Sequence, residues 1–186
     1  MGLLVDGVWQ DEAHEVRTKE GRFVRPTSRY RHWVTQDGSP GPSGEGGFPA
    51  EPGRYHLYVA LSCPWAHRAV IFRMLKGLEE VVSMSVLVPI YGPRGWQFGA
   101  RPGATPATAN GKSELAEVYL LADPRFTGRV TVPTLWDKER RTIVNTSPLL
   151  YLHQVHLLDL LHTLYGTVTV PPAVRAELVA GGQRGV

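Results

Sequence analysis

The stretch VALSCPWAHRAV, residues 59–70, carries the only cysteine of the chain, Cys63, between a short apolar run and a helical pattern. Upstream, RYHLYVAL (54–61) is rich in β-forming residues and reads as a strand. Downstream, PWAHRAVIFRMLKGLEE (64–80) spaces Ala66, Val70 and Met74 at i, i+4 and i+8, with Ile71, Leu75 and Leu78 beside them, which predicts a helix. Pro64 suits the first helical position and Gly77 marks the end. The thiol thus falls where a strand ends and a helix begins. A helix N-terminus directs unpaired N–H groups and partial positive charge at such a position. That favours thiolate, the nucleophilic form. Arg68, one turn in, adds positive charge on the same helix. Ala66 occupies the place of the second thiol of a Cys-x-x-Cys motif, so an adduct on Cys63 needs an outside thiol to resolve it. Glutathione is the cytosolic candidate. The competing reading is a lone cysteine acting as a small buried hydrophobe.

Working outward, VVSMSVLVPI (81–90) reads as a second strand and YGPRGWQFGARPG (91–103) as a loop. SELAEVYLLAD (113–123) reads as a helix, and VTVPTLWD (130–137) and RTIV (141–144) as two further strands. The order β-α-β-α-β-β predicts an α/β sheet with crossover helices. In thioredoxin-like sheets a proline just before the third strand is cis, so a cis Val132–Pro133 bond is expected in TVPTL (131–135). Its backbone would face the cysteine and pair with the cysteinyl part of a tripeptide like one added strand.

Length and composition bound the rest. The 186 residues suffice for one domain, or one domain and a fragment. Hydrophobic residues make up 42%, which describes a soluble globular protein. A formal charge of +3, from 20 basic and 17 acidic side chains, is too mild to argue for nucleic acid. The N-terminus lacks an apolar signal core, and no apolar run approaches the ~20 residues of a membrane span. One cysteine cannot form an internal disulfide, so a cytoplasmic location is expected. Residues 1–53 read as an irregular arm, with Phe23, Tyr30 and Trp33 packing on the body and TQDGSPGPSGEGGFPAEPG (35–53) forming a surface loop. From residue 145 the chain turns strongly apolar. NTSPLLYLHQVHLLDLLHTLYG (145–166) reads as one helix or two, capped by Thr146 or Ser147. TVTVPPAVRAELVAG (167–181) reads as a strand and another helix. No metal is expected: Cys63 and His67 lack a second cysteine pair, and His153 and His156 lack an acidic partner motif.

The blocks DGVW (6–9), GRFVRPTSRYRHW (21–33), GRYHLYVALSCPWAHR (53–68), ADPRFTGRVTVPTLWDK (122–138) and TIVN (142–145) resemble the glutathionyl-hydroquinone reductases, the Xi class of glutathione transferases. The resemblance covers residues 1–144. It implies a thioredoxin-like N-terminal domain followed by a helical domain. It also implies a thiol attack on glutathionyl-hydroquinones that passes through an enzyme–glutathione mixed disulfide. By resemblance, Cys63 is the nucleophile. Trp96 contacts glutathione, and Arg129, Val130, Thr131, Val132 and Pro133 form its cradle, with Ser147 at the following helix start. The family's Glu-Ser pair is replaced by Asn145-Thr146-Ser147-Pro148. Loss of one charge-assisted hydrogen bond, worth about 1.5–3 kcal/mol, is the expected cost.

The tail 144–181 resembles the opening of PIN-like proteins instead of the helical domain. The expected organisation is therefore an arm (1–53), a thioredoxin-like glutathione-binding domain (54–144) and a mainly helical PIN-like fragment (145–186). In the PIN-like fold Asn145 stands at the first metal-binding acid and Glu177 at a second. The expected function is a glutathione-dependent thiol transferase or reductase, impaired for hydroquinones by loss of the helical domain. The alternatives are a non-catalytic glutathione-binding fragment and a PIN-like nucleic-acid-processing fragment. Expected partners are glutathione, as co-substrate, and small quinone-derived thioethers, with no membrane and no nucleic acid. A homodimer stays open.

Overall fold

Tyr55–Val59 is buried at every position, which marks it as a central strand rather than a half-exposed one. The structure, a computed structural model, describes residues 2–11, 28–41, 46–107 and 109–145. In chain order its elements are β1 (Leu3–Val5), β2 (Val8–Gln10), β3 (Trp33–Thr35), β4 (Gly47–Pro49), β5 (Tyr55–Val59), α1 (Pro64–Leu75), β6 (Val82–Val86), α2 (Leu115–Ala122), β7 (Thr134–Asp137) and β8 (Thr142–Asn145). The main sheet has four strands in the order β6-β5-β7-β8. β5 runs parallel to β6 through the α1 crossover, and antiparallel to β7, which pairs antiparallel with β8. This is the mixed α/β sheet with two helices that the pattern predicts.

Local chemistry sets the ends of α1. Pro64 opens it, and it closes at Leu75, short of residue 80. Gly77 turns left-handed at φ +61°. The Leu78 N–H then reaches the Arg73 carbonyl at 2.8 Å and the Gly77 N–H reaches Met74 at 3.0 Å, the hydrogen-bond pair of a Schellman stop. Only Ala66 of α1 is fully buried. Ile71, Met74 and Leu75, assigned to its apolar stripe, are exposed. The strand around VTVPTLWD begins only at Thr134, because residues 131–133 turn ahead of the ladder.

The described parts of the arm carry more regular structure than their composition suggests. Asp6 and Gly7 both have positive φ, as a two-residue type I′ hairpin turn requires, and join β1 to β2. The hairpin is latched to residues 123–128. Leu4 and Gly128 exchange backbone hydrogen bonds at 2.9 Å, the Gly7 N–H reaches Phe126 O at 3.1 Å, and Arg125 Nε meets Asp6 Oδ1 at 2.8 Å. Tyr30 stacks on Phe126 and Trp33 is buried, as expected; Phe23 lies outside the described residues. Most described residues of the Gly-rich segment are exposed, as a surface loop requires, but Gly47–Pro49 within it forms the packed strand β4. β3 pairs in parallel with β4, and added Cβ atoms on Gly41 and Gly47 would overlap Trp33 and the Ser39 backbone. Three-residue strands leave no periodicity to read, which is why the composition misled.

Enclosing β5 forces its polar groups to find partners. Arg54, just before it, binds the wholly buried Asp137 through Nε at 2.9 Å and Nη2 at 2.6 Å, and Glu51 and Glu139 through Nη1. Removing one partner of such a pair typically costs about 3–5 kcal/mol. His56 is held between two serines. The Ser85 hydroxyl donates to Pro106 O at 3.1 Å, so it accepts from His56 Nε2–H at 3.0 Å. His56 Nδ1 then accepts the Ser83 hydroxyl at 2.7 Å. Burial, with Lys138 and Arg73 adding to it, pushes His56 down to about 4. A base whose folded pKa is lowered loses stability as pH falls. Its contribution is complete above about 6.5, the unfolded value, and disappears as pH drops toward 4. We expect unfolding free energy, from urea titrations across that range, to fall by about 3 kcal/mol through this group, with His56→Gln flattening the slope between pH 6.5 and 5.

Candidate functional site

Cys63 is the N-cap of α1, with extended backbone angles (φ −100°, ψ 114°) and Pro64 behind it. Its N–H bonds to Ala60 O at 3.0 Å and its carbonyl accepts His67 N–H at 3.1 Å, which places the residue at the strand-to-helix corner. The side chain is half-buried and does not cap the helix. Instead Sγ points across to the Val132 carbonyl, at 3.5 Å. The Val132–Pro133 bond is cis. Residues distant in sequence thus meet at the thiol, as the pattern predicts.

The turn that presents Val132 is held from below by a buried hydroxyl network. Tyr119 on α2 is almost wholly buried. Its hydroxyl accepts the Thr131 N–H at 3.3 Å and lies 3.2 Å from Thr134 Oγ1, whose own proton goes to Thr131 O at 2.6 Å. Val130 and Val132 are buried in the main core cluster, and Arg129 and Thr131 are half-buried at the rim. Ser147 lies outside the described residues, as do the expected helices of the tail.

Trp96 is buried, its ring 4.3 Å from that of Tyr91. The loop carrying both is tight. Gly92 and Gly95 exchange backbone hydrogen bonds at 2.9 and 3.1 Å, and the Leu115 N–H at the start of α2 reaches Trp96 O at 2.9 Å. Sequence reading passed over Tyr91. Burial holds its hydroxyl above the usual range, the Cys63 charge adds to this, and Arg129 and the Trp96 indole oppose it. Tyr91, Cys63, Trp96 and Arg129 therefore share one electrostatic environment, and Tyr91 brings a protonated hydroxyl to it. Nothing local marks it, since only the fold brings Tyr91 within the electrostatic reach of Cys63. Among the described residues no group of three or more His, Cys, Asp or Glu is arranged to hold a metal, and no helix is long and apolar enough to cross a membrane.

A thiol at a strand-to-helix corner, opposite a cis-proline turn in a mixed four-stranded sheet, defines the thioredoxin-like N-terminal domain of glutathione transferases. The glutathione S-transferase N-terminal domain family matches residues 62–151. The chain is a homologue of the glutathionyl-hydroquinone reductases and Xi-class glutathione transferases, and corresponds to a segment of them. It is 53% identical over 146 residues to glutathionyl-hydroquinone reductase YqjG of Escherichia coli K12, covering 78% of this chain and 44% of the relative. It is 47% identical over 145 residues to glutathionyl-hydroquinone reductase PcpF of Sphingobium chlorophenolicum, covering 78% and 43%. The glutathione-bound structure of YqjG superposes with a TM-score of 0.67 at 42% identity, covering 94% of this chain and 51% of that one. The Xi-class transferase of Natrialba magadii gives 0.66 at 42% identity, covering 79% and 42%. The chain thus spans less than half the length of the curated relatives it matches.

Residues 141–186 match a PIN domain family. Of that span only 141–145 are described. There Asn145, the residue read at the PIN acid position, ends β8 and donates its side-chain amide to His32 O at 3.1 Å. Glu177 lies outside the described residues.

The Tyr119 network is open to a direct test. Tyr119→Phe keeps the ring packing but leaves the part-buried Thr131 N–H without its acceptor, which should cost about 1 kcal/mol. Urea denaturation at neutral pH measures this, and a loss within error of zero would show that the hydroxyl carries no structural load.

Proposed function

We propose that the chain is a glutathione-dependent thiol transferase of the glutathionyl-hydroquinone reductase type, acting through Cys63 in the cytoplasm. The observation that carries this reading is the thiol at the N-terminus of α1, 3.5 Å from the Val132 carbonyl at the cis-proline turn. An extended tripeptide pairing with the Val132 backbone would bring its own sulfur to Cys63, in the manner of strand addition. Trp96, Arg129, Thr131 and Ser147 are proposed to complete the glutathione site. Val130 and Pro133 set its backbone shape from the core.

The chemistry follows from a single thiol. The Cys63 thiolate attacks the sulfur of a glutathione conjugate. A sulfur–sulfur bond forms, the bond from that sulfur to its substituent breaks, and the leaving group takes a proton. For a glutathionyl-hydroquinone the product is the free hydroquinone, reduced by the two electrons that the new disulfide has lost. A second glutathione then attacks the mixed disulfide, releases glutathione disulfide and restores the thiolate. An outside resolver is required because Ala66 offers no second sulfur. Quinone-derived thioethers and glutathione mixed disulfides are the proposed substrates.

Stopped treatment of the full chain with glutathione disulfide, followed by intact-mass analysis, tests this. We expect one glutathionyl group on Cys63, added at least tenfold faster than to a peptide of residues 59–70 and removed by reduced glutathione. Turnover of a small glutathione mixed disulfide should vanish in Cys63→Ser. Adduct formation no faster than in the peptide would support the non-catalytic alternative and overturn this one.

A further inference from the structure

α1 carries an apolar stripe on the side away from its packing. Ile71, Met74 and Leu75 fall at i, i+3 and i+4, so they share one helix face. They are exposed by 51, 60 and 55%, and Leu78, just past the helix end, is exposed as well. The opposite side meets the body: Ala66 is fully buried, and Ala69 and Val70 pack on the main core cluster. An exposed apolar residue standing alone is ordinary, but several that adjoin on one helix face mark a surface built to be covered. The chain itself supplies apolar sequence within reach. β8 ends at Asn145, two strands from β5 in the main sheet. Strands lie about 4.8 Å apart, so about 10 Å separates them. Residues 146–186 continue from there and lie outside the described residues. Within them SPLLYLHQVHLLDLLHTLY (147–165) carries eight leucines and a single acidic or basic residue, Asp159. On helical spacing Leu150, Leu157, Leu161 and Leu164 fall on one face, while Leu149, Leu152 and Leu160 fall off it. A pattern apolar on more than one side needs cover on more than one side.

We infer that residues 149–165 of this chain dock on the Ile71, Met74 and Leu75 face of α1, so that the helix is held between the body and the tail. The two surfaces answer each other: one is an uncovered apolar stripe, the other an apolar segment with more faces than water can be given. The tether decides the occupant. A segment joined to the body by a few residues meets α1 at an effective concentration in the millimolar range, well above that of a second copy in dilute solution. Residues 141–186 match a PIN domain family; docked in this way, the tail is a cover for α1 rather than a separate body. The inference makes no use of the chemistry of Cys63.

Photo-crosslinking in the full chain tests this. Met74→p-benzoylphenylalanine places the probe on the stripe, and Leu75→p-benzoylphenylalanine repeats the measurement from its neighbour. Val8→p-benzoylphenylalanine, on the β1–β2 hairpin and 60% exposed, is the control. After irradiation, products are separated by mass on a denaturing gel and the crosslinked peptides are sequenced by mass spectrometry. From positions 74 and 75 we expect a product of monomer mass joined to residues 149–165, at a yield at least about tenfold above that from position 8 and unchanged when the protein is diluted about tenfold, as a contact within one chain requires. A product of dimer mass would give the stripe to a second copy and overturn the proposal. So would a tail yield from both stripe positions no greater than from position 8. No sulfur chemistry is read, so the result stands apart from that of Cys63 glutathionylation.

Discussion

A strand with neighbours on both edges and packing on both faces cannot leave any of its groups to water, and β5 is such a strand. Much else in the molecule answers to that constraint. His56 is confined to one neutral tautomer between Ser83 and Ser85. The Tyr58 hydroxyl takes the Asn110 amide at 2.8 Å. Arg54, at the strand's entrance, is neutralised by Asp137, whose other oxygen accepts the Glu139 and Arg140 N–H groups of the following turn. One side chain thus ties the start of β5 to the β7–β8 connection. At its far end β5 delivers the chain to Cys63, so the rigidity of the strand becomes the positional accuracy of the thiol.

The second half of the site is positioned from outside the sheet. The cis-proline turn precedes β7, beyond the reach of its ladder, and depends on the Tyr119 hydroxyl beneath it. Tyr119 is fixed by Tyr30 and Phe126, whose rings pack on it at 6.0 and 5.0 Å. The β1–β2 hairpin is bonded to the backbone around Phe126 and Gly128. The N-terminal hairpin, the helix α2 and the turn opposite the thiol therefore form one mechanical unit. The same hairpin places Trp9 beside the 91–95 turn, so a segment that reads as an irregular arm shapes the space next to the candidate site.

The sequence by itself determined the features that arise from neighbours along the chain. Pro64 and Gly77 delimit α1 through their own backbone preferences, and β-forming runs on either side of it specify a βαβ unit. Position 63 between strand and helix follows from those alone, as does the need for an external thiol when residue 66 is alanine. Val132–Pro133 was legible because the family resemblance and the proline's place before a strand agree.

Only the tertiary structure decided what depends on contacts between distant segments. The burial of Tyr55–Val59 on both faces accompanies pairing with β6 and β7, and five residues of sequence cannot specify both partners. The exposure of Ile71, Met74 and Leu75 contradicts the inward stripe that their spacing suggests, because a 3.6-residue period identifies an apolar face without saying what it meets. β1 to β4 are each three residues long and are held by pairing and glycine packing rather than by periodicity. Tyr91 sits in a loop of glycines and prolines, and its packing on Trp96 accompanies a turn closed by hydrogen bonds between Gly92 and Gly95. Side-chain chemistry can be read locally, but proximity is a property of the closed fold.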